Sequence, residues 1–340
     1  MKKCIRLIAL LMACVLCLAA CGQSGSSSAA PASSAAAPAG SAPETGDRPL
    51  KIGVTLVNLN IPHWVNMEWE YQQMAKETGH ELTFVHAEGY ENVEKQINQI
   101  QDFIAAGMDA IIVAATDAEA VVKAIDEAVA AGIPVIEVNN LSNSDKSYIK
   151  IKSDDYEMGA LQAKLMNEAL GGEGKVVMIN APGGTTLAIR GQGFRETVEK
   201  DYPGIEILAE QFVASDPVKC TAAMEDFLQT YPEIDGVFCW SETAGVTAAS
   251  VVSTQQKDIV VTCMDITNSD VRSGIRSGSI YGTIAQQPIT LAQLSFEYAV
   301  KAAKGEPAEQ ELLYAPIATV TTDNIDTTDF SGILRPDETI

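Results

Sequence analysis

From Lys51 onward the chain alternates two patterns. Short runs of consecutive apolar, largely β-branched residues are followed by longer stretches in which apolar side chains return every three or four positions. The runs are "KIGVTLV", "ELTFVHA", "AIIVAA", "PVIEVN", "YIKIKS", "KVVMIN", "EILAEQF", "GVFCW", "IVVTCM", "YGTIAQ" and "YAPIATV". Unbroken runs suit strands of a parallel sheet covered on both faces, because neither face meets water. The segment 91 to 106 sets Val93, Ile97, Ile100 and Ile104 on one helical face, and 117 to 131 is patterned alike. Strand, helix and strand at this rhythm predict right-handed βαβ units and a doubly wound α/β fold. About eleven strands are more than one such sheet usually carries. The pattern also restarts with a new helix after "YIKIKSDD", so two similar α/β lobes are expected.

The first fifty residues are of another kind. Residues 1 to 21, "MKKCIRLIALLMACVLCLAAC", begin with Lys2, Lys3 and Arg6, continue apolar to Leu18 and end in small residues. This is the layout of a secretory signal, too short and wrongly flanked for a spanning helix. Its end, "LAAC" followed by Gly22, resembles the lipobox of bacterial lipoproteins, which implies removal of residues 1–20 and lipid on Cys21. Residues 21–48 follow as a linker of Ser, Ala, Gly and Pro with no apolar side chain large enough to repay ordering, and a flexible tether is expected.

Charge and cysteine usage narrow the partners. The net charge is −22, and loss of a leader with three bases and no acid makes the remainder more acidic still. Such a surface argues against nucleic acid and against attraction to anionic lipid, so lipid at Cys21 would supply the membrane attachment. Cys4, Cys14 and Cys17 leave with the signal, and Cys220, Cys239 and Cys263 remain. An odd, widely spaced set gives neither a disulfide framework nor a metal site. Cys239 and Cys263 stand in runs that could be neighbouring strands, where a bridge competes with the role of small buried hydrophobes.

Ligands of open parallel sheets bind beyond the carboxyl ends of the strands. The residues there are Asn58, Asn60, His63 and Trp64; Thr116 and Asp117; Asn139 and Asn140; Asp154; Gly183 to Arg190; Trp240, Ser241 and Glu242; Asp265; Gln286 and Gln287. Each has a structural alternative. Asn60 could cap a helix with Pro62 in its first turn, Asp117 could cap the next helix, and Trp64 could be core. As a set, polar groups at both lobes' strand ends favour a ligand cleft.

At this point the order of motifs resembles the periplasmic sugar-binding proteins of the ribose and galactose type, the substrate-binding subunits of ABC importers. The carriers are "KIGVTLVNLNIPHWVN", "GMDAIIVAATDAEAV", "AGIPVIEVNN", "IKSDDYEMG", "IRGQGF", "GVFCWSE", "VVTCMD" and "GTIAQQP", spanning about residues 50 to 322. The resemblance implies a type I periplasmic binding protein-like fold of two lobes joined by a three-crossing hinge. The crossings would fall near Ile151 to Ser153, Ala285 to Gln287 and Pro316 to Thr319. The N-terminal lobe is then 49–152 plus 287–316, and the C-terminal lobe 153–286 plus 317–340. It also implies that Trp64 packs against a sugar ring with His63 in a neighbouring, usually aromatic position. Arg190, Asp265 and Gln286 would bind sugar hydroxyls. Three departures point away from ribose: Asn139-Asn140 in place of an Asp-Arg pair, Ser241 in place of Asn, and no aromatic in "VASDP". Trp240 is the candidate for a stacking face from another direction.

The expected ligand site is thus Asn58, Asn60, His63, Trp64, Asn139, Asn140, Arg190, Trp240, Ser241, Asp265 and Gln286. Arg190 and Asp265, with Glu242 nearby, leave no strong net sign, which suits a neutral monosaccharide or polyol. Closure of the lobes over ligand would present the form that a permease with its ATPase recognises. The protein is expected as a monomer held by lipid on the outer face of the cytoplasmic membrane, or in the periplasm of a cell with two membranes. With only His63, His80 and His86, no Ser-His-Asp pattern, no P-loop and no metal spacing, no enzyme, metal or cofactor is expected. "APGGTT" is a weak anion-cradle signal. A binding protein that reports to a membrane receptor or histidine kinase is the alternative to import.

Overall fold

A computed structural model describes residues 48–182 and 187–338; the signal, the tether, Cys21 and Gly183 to Thr186 of "APGGTT" lie outside the described residues. The described residues form two sheets. Strands β1 (Lys51–Leu56), β2 (Glu81–His86), β3 (Ala110–Val113), β4 (Val135–Val138), β5 (Ile149–Lys152) and β11 (Leu312–Tyr314) make the first, in the order β11-β5-β4-β3-β1-β2. Strands β6 (Gly174–Asn180), β7 (Ile205–Phe212), β8 (Gly236–Cys239), β9 (Val260–Met264), β10 (Gly282–Gln286) and β12 (Ile317–Thr321) make the second, in the order β12-β10-β9-β8-β6-β7. All pairings are parallel except β10 with β12.

Helices cover both faces of each sheet, which explains the unbroken apolar strands. In lobe 1, α1 (Pro62–Thr78) and α9 (Pro288–Ala303) pack on one face, with Trp64, Met67, Tyr71 and Phe296 in that core. The other face carries α2 (Val93–Ala106) and α3 (Val122–Ala130), through Ile100, Phe103 and Ile125. Lobe 2 repeats this with α4 (Asp155–Ala169) and α5 (Ala188–Asp201) on one side. On its other side are α6 (Pro217–Thr230), α7 (Glu242–Thr254) and α8 (Ser269–Ser277). One contiguous core around Met166, Phe194, Phe227 and Phe238 fills it.

The chain passes between the sheets three times: between Lys152 and Asp155, at Gln287, and at Ala315–Pro316. Beyond β12 it returns to the same region. Ile325, Phe330, Ile333 and Leu334 enter the lobe 2 core. Meanwhile Gly332 O accepts from the backbone N–H of Ile289 (3.0 Å) and Thr290 (3.2 Å) on α9. Ile333 O accepts from Asn66 Nδ2 on α1 at 2.9 Å. The segment after β12 therefore touches both lobes beside the crossings.

Three local readings change, and the choice left open for the cysteines is decided. "YAPIATV" is two strands, β11 and β12, in different sheets. Pro316, with no N–H to give a ladder, stands at the break. The second helix-patterned segment starts late: Asp117 Oδ1 accepts from Glu119 N (2.9 Å) and Ala120 N (2.8 Å), closing a turn before α3 begins at Val122. Asn60 does not cap α1; Ile61 is the N-cap and makes no side-chain cap bond, while Pro62 opens the helix as expected. Cys239 and Cys263 do lie on adjacent strands, but both are free and buried, as is Cys220.

Candidate functional site

The same unusual backbone conformation directly follows the corresponding strand of each sheet. Asn139, directly after β4, has φ 60°, and Asp265, directly after β9, has φ 67°. These strands hold corresponding places in the two sheets, and each residue donates its N–H to the next strand: Asn139 to Ile151 O at 2.7 Å, Asp265 to Ile284 O at 2.9 Å. Asn and Asp tolerate the left-handed region better than other side-chain-bearing residues. Strain of this sort, held by surrounding structure, is characteristic of sites where side chains must be aimed.

On lobe 2 the aimed groups are charged. Arg190 on α5 is 2% exposed. Its Nε donates to Asp155 Oδ1 at 3.0 Å, and its Nη1 to Trp240 O at 3.3 Å and Asp265 Oδ2 at 3.4 Å. Lys152, on the other side of the first crossing, reaches Asp155 Oδ2 at 3.0 Å. Asp265 accepts from Gln286 N (3.0 Å) and Gln286 Nε2 (3.3 Å) at the second crossing. A chain of charge-assisted bonds thus joins Arg190 to two of the hinge segments. Burial works against the guanidinium, but the Asp265 and Asp155 carboxylates outweigh it and hold its pKa above the ordinary value. Nη2 of Arg190 is buried and without a hydrogen-bond partner.

On lobe 1 the aimed groups are neutral. His63, in the first turn of α1, is 8% exposed, and its Nε2 has no partner. Burial lowers its pKa to about 4; Asp265 and a hydrogen bond with Asn139 oppose the shift, and Arg190 reinforces it. The ring is therefore uncharged at neutral pH, and it lies within electrostatic reach of the lobe 2 charges. Asn139 Nδ2 donates to Asn140 Oδ1 at 3.1 Å, and Asn140 Nδ2 to the Tyr90 hydroxyl at 3.2 Å. Asn139, Asn140 and Tyr90 form one connected row.

The remaining expected residues divide. Asn58 is buried, and its Oδ1 accepts from Asn60 N at 3.0 Å, shaping the loop before α1; Asn60 itself is exposed. Ser241 caps α7 through Ala244 N at 3.3 Å. Trp64 is 2% exposed in the lobe 1 core and meets the His63 ring edge-on, centroids 5.0 Å apart. Trp240 is 8% exposed in the lobe 2 core and donates its Nε1 to Val213 O at 2.9 Å. Both indoles are buried among core side chains. The apolar bodies of these side chains had more to gain from the two cores.

Two participants, Tyr90 and Asp155, escape the sequence reading, and Glu242, which it named, has a shifted pKa. Tyr90 stands in the loop beyond β2, which ends at His86, and a wider reading of the strand-end rule would have reached it. Asp155 reads as part of the first turn of α4, and nothing local reveals that it pairs with Arg190, 35 residues later. Glu242 has its pKa raised to about 7 by burial, then by Asp265, although Asn268 N and Thr267 Oγ1 bond to its carboxylate. No group of His, Cys, Asp and Glu suited to a metal ion occurs among the described residues. No described helix is long and apolar enough to cross a membrane.

Residues 52–307 match a known family model, the periplasmic binding protein domain. The chain belongs to that family. Among periplasmic binding proteins it is 28% identical over 267 residues to the ribose import binding protein RbsB of Bacillus subtilis, covering 78% of this chain and 85% of that one. It is 27% identical over 237 residues to the xylitol-binding protein of Mycolicibacterium smegmatis, covering 69% and 67% of the two chains. Among solved structures, an ABC transporter solute binding protein from Bacillus halodurans with bound myo-inositol superposes with a TM-score of 0.74. It shares 26% identity, over 83% of this chain and 98% of that one.

Proposed function

We propose that this periplasmic binding protein captures a neutral sugar or polyol between its lobes and delivers it to an ABC permease with its ATPase. Two buried hydrogen-bonding atoms without partners, His63 Nε2 on lobe 1 and Arg190 Nη2 on lobe 2, support this reading most directly. Buried polar groups in native proteins are nearly always satisfied, so such atoms at facing strand ends are places for ligand atoms. A sugar hydroxyl donates and accepts, and it meets both kinds of need. Near the cleft the charges of Arg190, Asp155 and Asp265 satisfy one another, which suits a ligand without net charge. Relatives named for ribose and xylitol, and a neighbour holding myo-inositol, agree in ligand class.

Binding would act through closure. Contacts from both lobes exist together only when the lobes are closed, so ligand shifts the hinge equilibrium by its preference for that form. Asn139, Asn140, Arg190, Asp265, Gln286 and His63 are the proposed ligand residues, with Asn58, Asn60 and Ser241 shaping the loops around them. The protein would work as an exported monomer, tethered by lipid at Cys21, and no reaction is assigned to it. The relatives favour import over sensing, since they are named as import and transporter proteins.

A thermal-shift screen of the purified protein against monosaccharides, polyols, nucleosides and furanose signals should return a stabilising neutral polyhydroxy compound. Asp265→Ala should abolish that stabilisation. If the variant keeps the full shift, the site assignment fails. Lipid attachment is checked by Cys21→Ser, which should release the protein from the membrane fraction.

A further inference from the structure

We propose that the segment after β12 is a clasp across the hinge, with Asn66 as its catch, and that it favours closure before any ligand arrives. By packing the segment belongs to lobe 2, whose core takes Ile325, Phe330, Ile333 and Leu334. Its hydrogen bonds go to lobe 1, at two places of different kinds. The first is a pivot. Helix α9 starts without a side-chain cap, and Gly332 O takes the N–H groups of Ile289 (3.0 Å) and Thr290 (3.2 Å) in its first turn. A Cβ on Gly332 would stand 2.4 Å from Gln287 Oε1, so this carbonyl is seated against the second crossing itself. Points beside a crossing move little when lobes rotate about a hinge.

The second place is off the hinge. No crossing enters α1, yet Asn66, 0% exposed on that helix, gives Nδ2 to Ile333 O at 2.9 Å and to Glu338 Oε2 at 3.0 Å. Glu338 is held on the segment in turn, accepting from Arg335 N at 3.0 Å with Arg335 Nη2 3.6 Å away. A backbone carbonyl only accepts, so the Asn66 amide cannot be turned round, and both hydrogens of Nδ2 are engaged. Oδ1 is left buried without a partner. Such an atom weakens the contact it belongs to, because water reaching it on separation offsets part of the two bonds lost. The catch can therefore let go. Burial shows which arrangement it holds. At the strand ends of lobe 1 Asn58 and His63 are 6% and 8% exposed, and Arg190 on lobe 2 is 2% exposed, so the lobes are together while the catch is made. His63 precedes Asn66 by about one turn of α1, and a rotation that moves one moves the other. Asn66 is thereby a positioning residue for capture that stands outside the cleft.

The first test needs no ligand. Spin labels on Ala120→Cys and Val218→Cys, exposed positions beyond β3 and β7, report the interlobe distance in protein carrying Cys21→Ser, since Cys220, Cys239 and Cys263 are buried. The ligand-free protein should show a short-distance population, and Asn66→Leu should lower its ratio to the long-distance one about tenfold, the effect of losing one neutral and one charge-assisted bond. Glu338→Ala should lower the ratio about threefold. Glu338→Gln keeps an acceptor and should stay near the wild-type ratio. An unchanged ratio in Asn66→Leu, or in Glu338→Ala if the first variant does not fold, overturns the clasp; so does a wild type with no short-distance population. Calorimetry with D-ribose, xylitol and myo-inositol reads the link to capture: for any that binds, Asn66→Leu should weaken affinity by the same factor as the ratio. Unchanged affinity overturns that link. Failure of all three to bind counts against the proposed ligand class and leaves the distance test to decide the clasp.

Discussion

Lobe 1 and lobe 2 run their strands in the same order and each sets a left-handed residue after its fourth strand, yet they furnish the cleft differently. Lobe 2 contributes a guanidinium held by carboxylates; lobe 1 contributes an uncharged imidazole and a row of two amides and a phenol. The helix pairs behind these groups differ too. At the α4–α5 crossing the backbones nearly touch: a Cβ on Gly159 would stand 1.9 Å from Arg190 O, and one on Gly193 2.1 Å from Tyr156 O. At the α1–α9 crossing side chains fill the gap, with the Tyr71 hydroxyl 2.6 Å from Ser295 Oγ. A charge buried in lobe 2 must be locked in place, and close helix packing locks it. Lobe 1, with neutral groups, tolerates a padded crossing.

The largest expected effect is on the charged lobe. Arg190→Ala leaves Asp155 and Asp265 without their shared partner and should cost roughly 3–5 kcal/mol of stability. It should also remove ligand-induced stabilisation. The 2% exposure of Arg190 and its three bonded partners argue that the variant will not keep an undamaged apo fold. Chemical denaturation of the variant measures the loss, and an unchanged midpoint would show that the charge chain is not structural.

The next effect concerns pH, where the lobes pull in opposite directions. His63 has its pKa lowered to about 4, so between the unfolded value of 6.5 and that point the unfolded chain binds the extra proton and stability falls as pH falls. The full span is about 3 kcal/mol. Glu242 has its pKa raised to about 7, so the folded state holds the extra proton. Its contribution is complete below the unfolded carboxylate value and is lost as pH rises through 7. The wild type should therefore show a shallow profile from pH 4.5 to 6.5. His63→Phe should turn it downward with rising pH, and Glu242→Gln upward. Parallel profiles for wild type and both variants would dismiss the opposition.

Gly159→Ala should cost roughly 1–3 kcal/mol, because the new methyl meets a backbone carbonyl and the helices must part. It should weaken binding as well, since that carbonyl belongs to Arg190. The smallest effect is expected at the padded crossing. Tyr71→Phe removes one hydroxyl, and Ser295 keeps its bond to Ala292 O at 3.1 Å, so the loss should be about 1 kcal/mol with binding unchanged. If Tyr71→Phe proves as costly as Gly159→Ala, the contrast between the crossings is mistaken.

Much of this was legible before any coordinates. Continuous apolar runs marked the strands, and the strand-end rule reached Arg190, Asp265, Asn139 and Gln286. It failed where one pattern serves two outcomes. Nothing in "YAPIATV" reveals that its halves pair in different sheets, one parallel and one antiparallel. An indole beside polar residues reads equally as platform and as core, and Trp64 and Trp240 are core.

The sequence by itself determined the elements, their α/β alternation and the polar ends of the strands, because these depend on periodicity and on neighbours a few residues apart. Only the tertiary structure decided which polar ends meet. Arg190 finds Asp265 75 residues away, Asn66 finds Ile333 across 267, and no local preference encodes such a pairing. Pairing is settled when two sheets bury their helices and the groups left at their ends must satisfy one another. His63 Nε2 and Arg190 Nη2, unremarkable in separate helices, are among the buried atoms left without a partner.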